Sequence, residues 1–161
     1  MSLEASCPLC DADGGDLVWR DADLRVIMAP EADYPGFVRV IWGAHAREMT
    51  DLAPSQRDHL MAVVWTVERV VRDLLEPDKV NVASLGNVVA HLHWHVIARW
   101  HDDLHFPAPI WGALAAGRDG AVARRREAVA AKVPALRAAL LQALGGPSRG
   151  ALPGGRRGEQ S

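Results

Sequence analysis

The chain has 161 residues, a length that favours a single domain with a substantial core. Its hydrophobic share of 49% and charged share of 24% are typical of a globular protein. A formal net charge of −2 provides no basic footprint for nucleic acid, and no apolar run suggests a membrane span. Residues 1–6 have neither a basic leader nor an apolar stretch, so we expect a cytoplasmic protein.

Two cysteines lie three positions apart in Cys7-Pro8-Leu9-Cys10. Without an export signal, they are better interpreted as thiols in a reducing compartment than as a disulfide. Such a pair can supply two thiolates to zinc, but it is only half of a four-ligand site.

Three short strands are predicted next, at residues 17–20, 24–29 and 37–42. Turn-forming residues separate the first two, and Pro30 stops the second because proline cannot donate to a strand ladder. His45 follows the third strand, where strand gives way to loop. Taken alone, it would be interpreted as a solvated polar group.

A long helix is predicted from Pro54 to Glu76, because apolar residues recur there at three- and four-residue spacing. Pro54 suits a first helical turn, Ser55 with Asp58 resembles a capping box, and Pro77 ends the helix. The apolar stripe is suited to a core and consists of Leu60, Val63, Val64, Val67, Val70, Val71, Leu74 and Leu75.

A fourth strand is predicted at residues 79–85, and the stretch from Asn87 to Trp100 follows it. In that stretch three histidines alternate with apolar residues, the period-two pattern of a half-buried strand. Alternation places His91, His93 and His95 on one face, which we expect to be an accessible surface. Three imidazoles on one face indicate a chemical role. The opposite face would be anchored in the core by Ala90, Leu92, Trp94 and Val96.

The remaining chain is predicted to contain a loop, a helix and a tail. Residues 101–112 form a proline-broken loop that is either a lid or a surface crossing with its aromatic side chains tucked in. An Ala-rich helix is expected from Gly120 to Leu144, with Pro134 breaking or kinking it. The Gly- and Pro-rich tail at 145–161 is expected to be disordered.

The run from His91 to Ile97 matches in full the His-apolar-His-apolar-His-apolar-apolar motif of the histidine triad (HIT) superfamily of nucleotide hydrolases and transferases. Its surroundings agree in order, with a cysteine pair, His45, a middle helix and the Gly86-Asn87 pair. The chain therefore resembles bacterial HIT proteins over roughly residues 7–112.

The resemblance implies an α+β, HIT-like fold, in which an antiparallel sheet of about five strands packs with a middle and a C-terminal helix. It also implies a homodimer. We accordingly divide the chain into a HIT core at residues 1–112, a helical segment at 113–144 and a tail at 145–161.

The resemblance also implies a covalent mechanism. His93 would attack the α-phosphorus of a nucleotide ester, phosphoramidate or dinucleoside polyphosphate, and water would cleave the nucleotidyl-histidine. His95 would donate a hydrogen bond to the phosphate, and Asn81 and Asn87 would contact it. The expected partner is a nucleotide, with no organic cofactor, nucleic acid or membrane.

Three positions depart from the usual family pattern. Relatives usually have glutamine and then serine or threonine where this chain has Asn87 and Val88, and often histidine at Phe37. The loss of the hydroxyl at Val88 removes one phosphate or leaving-group contact. Because His95 is not replaced by glutamine, the chain resembles the hydrolase branches rather than the uridylyltransferase branch.

Several bacterial HIT proteins bind zinc through a Cys-x-x-Cys pair, a histidine after the third strand and the first triad histidine. The resemblance thus implies a structural zinc on Cys7, Cys10, His45 and His91, four ligands that leave no open position for water. The competing interpretation makes His45 and His91 metal-free supporting groups.

Two other functions remain open at this stage. Alternate histidines on a strand can chelate one metal, so His91, His93 and His95 could hold a catalytic zinc that activates water. Alternatively, Val88 and Phe37 mark lost catalysis, and the chain is a catalytically weak nucleotide-binding or zinc-stabilised interaction protein.

Overall fold

The computed structural model describes residues 6–145 and leaves the predicted disordered tail from residue 146 onward outside that range. A short 3-10 turn at Met49–Asp51 precedes the long middle helix. The helices and strands are α1 (Pro8–Asp11), β1 (Asp16–Arg20), β2 (Leu24–Met28), β3 (Val38–Trp42), α2 (Pro54–Leu75), β4 (Lys79–Ala83), β5 (His93–Arg99) and α3 (Asp119–Gly145).

The five strands form one antiparallel sheet in the order β1-β2-β3-β5-β4. This confirms the predicted α+β architecture. The histidine strand β5 lies between β3 and β4, with His95 opposite Arg39 on one side and opposite Ala83 on the other. An interior strand has both edges paired, so its side chains are held firmly in place.

One face of the sheet packs against α2 and α3 and forms the main core. The stripe predicted for α2 is buried there, except Leu74, which is partly buried. Leu92 and Val96 are buried in the same core, and Trp94 packs against it, as the alternation predicted. The predicted burial of Ala90 is wrong, because Ala90 lies in the loop before β5 and is exposed. Fully burying one such aliphatic side chain contributes about 1.5–3 kcal/mol.

The ends of α2 differ in detail from the prediction. The helix begins at Pro54, but its cap comes from Gln56, whose Oε1 accepts a hydrogen bond from the Ala53 N–H at 2.8 Å. The predicted Ser55–Asp58 box is wrong, because the capping contact of the first turn lies two residues earlier, between Ala53 and Gln56. The helix ends at Leu75, and Glu76 turns the chain away with a φ of 52°.

The C-terminal helix α3 runs through Pro134 without ending there, so the predicted break is wrong. Proline removes one backbone hydrogen bond from a helix interior. Here Val129 and Leu136 are buried on either side of Pro134, and their packing in the main core holds both halves in place.

The stretch Gly120–Gly145 is long and apolar enough to cross a membrane by length and composition alone, although no membrane span was predicted there. Those two properties are weak evidence for a span. This helix places Leu136 and Leu140 in the main core, and Arg137 forms an ion pair with Asp16 of β1.

Candidate active site and adjoining metal centre

The sheet face opposite the helices carries the histidines, and we call it the histidine face. It is defined by alternate strand residues, among them Arg25, Arg39, His93, His95 and Arg99. His91 precedes β5 and lies in the loop after β4, so the triad does not form one continuous row on a strand.

The triad histidines are buried rather than accessible, which contradicts the expectation of an exposed surface. The exposed fractions are 0% for His91, 8% for His93 and 4% for His95. Cys7 of the N-terminal segment contacts the ring of His91. The rings of Phe37 and Trp111 flank His95, with their centroids 5.5 and 5.0 Å from that of the His95 ring.

The loop at residues 101–112, which carries Trp111, is fixed by a buried ion pair. Arg99 Nε lies 2.6 Å from Asp103 Oδ2, and both side chains are at most 5% exposed. Asp103 also accepts hydrogen bonds from the backbone N–H groups of His105 and Phe106. The indole of Trp111 is not tucked in as one interpretation expected, because 51% of the residue is exposed.

The imidazole of His93 is oriented by the backbone. Its Nδ1 lies 2.5 Å from the carbonyl oxygen of His91, so Nδ1 must be the protonated donor. Burial lowers the pKa of His93, and the charge of Arg39 lowers it further. The neutral ring therefore carries its lone pair on Nε2, the form that a nucleophile needs.

His95 lies edge-on to His93, with ring centroids 4.8 Å apart and planes at 84°. Its Nδ1 is buried and has no hydrogen-bond partner within residues 6–145. Burial is the main cause that lowers the pKa of His95 to about 3, and His93 and Arg39 add to it. At neutral pH this ring is uncharged and offers one N–H.

The two predicted phosphate ligands, Asn81 and Asn87, lie in different surroundings. Asn81 lies on β4 opposite Ile97, and its Oδ1 accepts a hydrogen bond of 2.6 Å from Arg99 Nη1. It therefore has a structural partner, while its NH2 group can still donate. Asn87 is exposed in the loop between β4 and β5, next to Val88, which is 98% exposed.

The second set of predicted residues comes together as a Cys/His cluster of Cys7, Cys10, His45 and His91. One ligand atom from each lies within 4.8 Å of the others. Cys7 Sγ lies 3.4 Å from His91 Nδ1, and Cys10 Sγ lies 3.4 Å from His45 Nδ1 and 3.5 Å from His91 Nδ1.

These spacings fit a tetrahedral zinc ion. With usual Zn–S and Zn–N bond lengths, sulfur and nitrogen ligands of one tetrahedron lie about 3.6 Å apart. The Nε2 of His91 lies 2.6 Å from the carbonyl oxygen of Trp42 and donates to it, so Nδ1 faces the cysteines with its lone pair. Burial lowers the pKa of His91 and keeps it neutral.

A buried arginine holds the cysteine segment against the sheet. Arg25 donates to the carbonyl oxygens of Leu9, Ala12 and Asp13 at 2.7, 3.1 and 3.0 Å. These contacts lock the chain around Cys10, so the cluster depends on packing as well as on its ligands. Sequence reasoning did not identify this role.

Arg39 was also missed, although it lies beside both histidines of β5. The sequence contained a signal for Arg39. It shares one face of β3 with the apolar residues Phe37 and Ile41, and the other face of that strand is apolar throughout. A charged residue at such a position is exceptional unless it has a partner.

The fold and site define an α+β protein with a buried histidine pair next to a Cys/His cluster. A model of the HIT domain matches residues 14–102, more than half of the chain. The chain therefore belongs to the HIT family, as the triad motif predicted.

Similar proteins agree with this assignment. An AP-4-A phosphorylase of Mycobacterium tuberculosis is 31% identical over 85 residues, which are 49% of this chain and 44% of the relative, so the match spans less than half of that relative. The structure of a histidine triad protein from Bradyrhizobium japonicum has a TM-score of 0.63 and 28% identity, covering 81% of this chain and 90% of its own. A zinc-bound histidine triad family protein from Mycobacterium smegmatis shares the fold, with a TM-score of 0.54, 24% identity and coverages of 85% and 94%.

Proposed function

We propose that this chain is a nucleotide-processing enzyme that cleaves its substrate at the α-phosphate through a nucleotidyl intermediate on His93. The observation that carries the proposal is the hydrogen bond from His93 Nδ1 to the carbonyl oxygen of His91. It leaves the lone pair on Nε2, beside His95 on a buried face. Such a neutral, oriented imidazole can attack phosphorus near pH 7.

In the first step the Nε2 lone pair of His93 forms a bond to the α-phosphorus. The bond from phosphorus to the leaving group breaks, and the leaving group keeps the electron pair and takes a proton from solvent where it needs one. The His91 carbonyl stabilises the positive charge that develops on the ring, because Nδ1–H already points at it. A ring N–H of His95 donates to a phosphoryl oxygen, a contribution of about 10²–10³ in rate.

In the second step water attacks phosphorus and the P–N bond breaks. The nucleoside monophosphate leaves, the water proton passes to solvent, and His93 regains its lone pair. This is the hydrolase form of the proposal.

A phosphorolytic form is the second candidate, because the Mycobacterium tuberculosis relative is an AP-4-A phosphorylase. There inorganic phosphate would replace water in the second step, and the product would be a nucleoside diphosphate. Both forms share the intermediate and differ only in the acceptor.

We further propose that Cys7, Cys10, His45 and His91 hold a structural zinc ion. The support is the S–N spacing of the cluster, the orientation of His91 by Trp42, and the zinc-bound relative from Mycobacterium smegmatis. Zinc would supply a rigid link between the N-terminal segment and the loop before β5. Four protein ligands would leave no position for reactive water.

The contacts of His91 and His93 disfavour a catalytic zinc shared by the three triad histidines. The Nδ1 of His91 faces sulfur atoms, and the Nδ1 of His93 is engaged by a carbonyl. A metal bound to the Nε2 of His93 would also block the proposed nucleophile.

The test is a panel of three substrates: a nucleoside phosphoramidate, a dinucleoside polyphosphate, and the latter with added inorganic phosphate. Wild type should release nucleoside monophosphate, or nucleoside diphosphate when phosphate is the acceptor, while His93→Ala should lose at least about 10³-fold in rate. Binding of nucleotide by both proteins with no His93-dependent turnover would favour the catalytically weak binding protein instead.

The predicted homodimer and cytoplasmic location are retained as proposals. Sedimentation at micromolar concentration tests the first, and fractionation of producing cells tests the second. Neither outcome changes the proposed chemistry, because the His93 and His95 side chains come from one chain.

A further inference from the structure

Arg39 lies at the centre of the histidine face. On β3 it is the direct partner of His95, and its neighbour Ile41 is the partner of His93. Arg39 therefore lies directly opposite His95 in the strand pairing and diagonally opposite His93. In an antiparallel pair such neighbours are close enough for long side chains to meet.

Besides Arg39, two buried arginines extend from this face, and both have full sets of acceptors. Arg25 donates to three backbone carbonyls. Arg99 forms a two-atom pair with Asp103 and also donates to Asn81. Both are thus committed to the structure.

Arg39 lacks such a set. Its nearest carboxylate within the described residues is that of Glu31, 4.0 Å from Nη2 and 40% exposed. Its Nε is buried and has no hydrogen-bond partner in that part of the chain, and its guanidinium lies 4.9 Å from the centre of the Phe37 ring. A mostly buried guanidinium with an unused donor is poised for an anionic ligand.

The Nδ1 of His95 is the second buried polar atom without a partner on this face. Two such atoms on directly paired residues are unusual, because native proteins satisfy most buried polar groups. A ligand with several acceptor oxygens on one centre would meet both at once. A phosphoryl group has that geometry and the negative charge that Arg39 requires.

We propose that Arg39 and His95 together bind the phosphoryl oxygens of the substrate, with Arg39 as the cationic residue of the site. This rests on the proposed function only for the identity of the phosphoryl group as that of the substrate. A buried phosphoryl group carries negative charge, so it needs charge compensation from a cation close to its oxygens. Arg39 supplies it next to the nucleophile, and it would also stabilise the charge on phosphoryl oxygens during attack.

The test uses inorganic phosphate as the probe and the ring NMR signals of His95 as the reporter. Wild type, Arg39→Met and Arg39→Gln are titrated with phosphate, and Arg72→Met is the control. Arg72 is exposed on α2, where it pairs with Glu68, so its loss changes net charge equally without touching the histidine face. Circular dichroism and thermal unfolding establish that each variant is folded, and Arg39→Gln provides the measurement if Arg39→Met does not fold.

We expect phosphate to shift the His95 signals in wild type, with a Kd at least about tenfold higher in both Arg39 variants and unchanged in Arg72→Met. The affinity of wild type should also fall more steeply with salt than that of the Arg39 variants. Equal Kd values in wild type and a folded Arg39 variant would overturn the proposal. So would the lack of any phosphate effect on His95.

The two proposals can fail separately. If phosphate binding depends on Arg39 but no substrate is turned over, the proposed function fails and the anion site stands. If His93-dependent turnover occurs while phosphate binding and kcat/KM are unchanged in the Arg39 variants, the enzyme stands and the role of Arg39 is refuted.

Discussion

The carbonyl oxygen of His91 lies 2.5 Å from the Nδ1 of His93, while the imidazole of the same His91 lies 3.4 Å from the Sγ of Cys7. One residue thus belongs to the Cys/His cluster through its side chain and orients the proposed nucleophile through its backbone. Any displacement of His91 must change the direction in which the His93 lone pair points. The cluster and the nucleophile are therefore mechanically linked.

Zinc removal should loosen the site as well as the fold. We expect one zinc per chain by elemental analysis, and a fall of at least about 5 °C in Tm after chelation. Cys10→Ser should give the same loss without chelator, because a hydroxyl is a poor zinc ligand. A chelator that removes no metal and leaves Tm unchanged would contradict the zinc assignment. The rate of substrate turnover should also fall when the metal is removed, although no proposed reaction step uses the metal.

Acid should destabilise the protein through His95. Its pKa is lowered from 6.5 to about 3 in the folded chain, so below pH 6.5 the unfolded chain binds a proton that the folded chain excludes. The free energy of unfolding therefore falls as pH drops from about 6.5 towards 3, with ~2 kcal/mol lost between pH 7 and pH 5. Urea unfolding of metal-free wild type should show this loss.

His95→Asn is the matched control for that measurement, because it removes the titrating ring and keeps a polar side chain. We expect its free energy of unfolding to fall by ~2 kcal/mol less than that of wild type over the same pH range. Equal losses in the two proteins would mean that His95 is not the buried neutral group described.

The ion pair of Arg99 and Asp103 should be the most sensitive charge pair of the described chain. Asp103→Asn leaves the Arg99 guanidinium buried, 2% exposed, without its carboxylate, and we expect a loss of about 3–5 kcal/mol in unfolding free energy. Amide hydrogen exchange at residues 101–112 should also be faster in Asp103→Asn than in wild type, because Asp103 anchors that loop.

The adjacent Asp102 offers the control. It pairs with Arg125 at 3.0 Å, but both side chains are more than a third exposed. Asp102→Asn should therefore cost only about 0–1 kcal/mol. A similar cost for both substitutions would contradict the distinction between the buried and the exposed pair.

The sequence predicted the fold and much of the site because those features depend on local periodicity and motif. Alternation along the histidine motif placed Leu92 and Val96 in the core, and the stripe of α2 matched its buried face. The cysteine pair and the two histidines of the cluster do come together. The catalytic and phosphate-binding roles stay predictions.

What the sequence did not reveal depends on contacts between distant segments. The burial of His95 comes from Trp111 and Phe37, and the loop that carries Trp111 is positioned by the pair of Arg99 and Asp103. Arg39 becomes significant only when β3 is aligned with β5 and its unsatisfied Nε is seen beside His95. Periodicity within one strand contains none of these relationships.

The central claim is covalent catalysis by His93, and the most direct measurement is the mass of the protein during turnover. Wild type mixed with a nucleoside phosphoramidate and quenched within milliseconds in alkali, where a P–N bond to histidine survives, should carry one added nucleotidyl group. Peptide mapping should place that group on His93, and His93→Ala should carry none. Steady turnover by wild type with no adduct at any quench time, or an adduct that persists in His93→Ala, would contradict the mechanism.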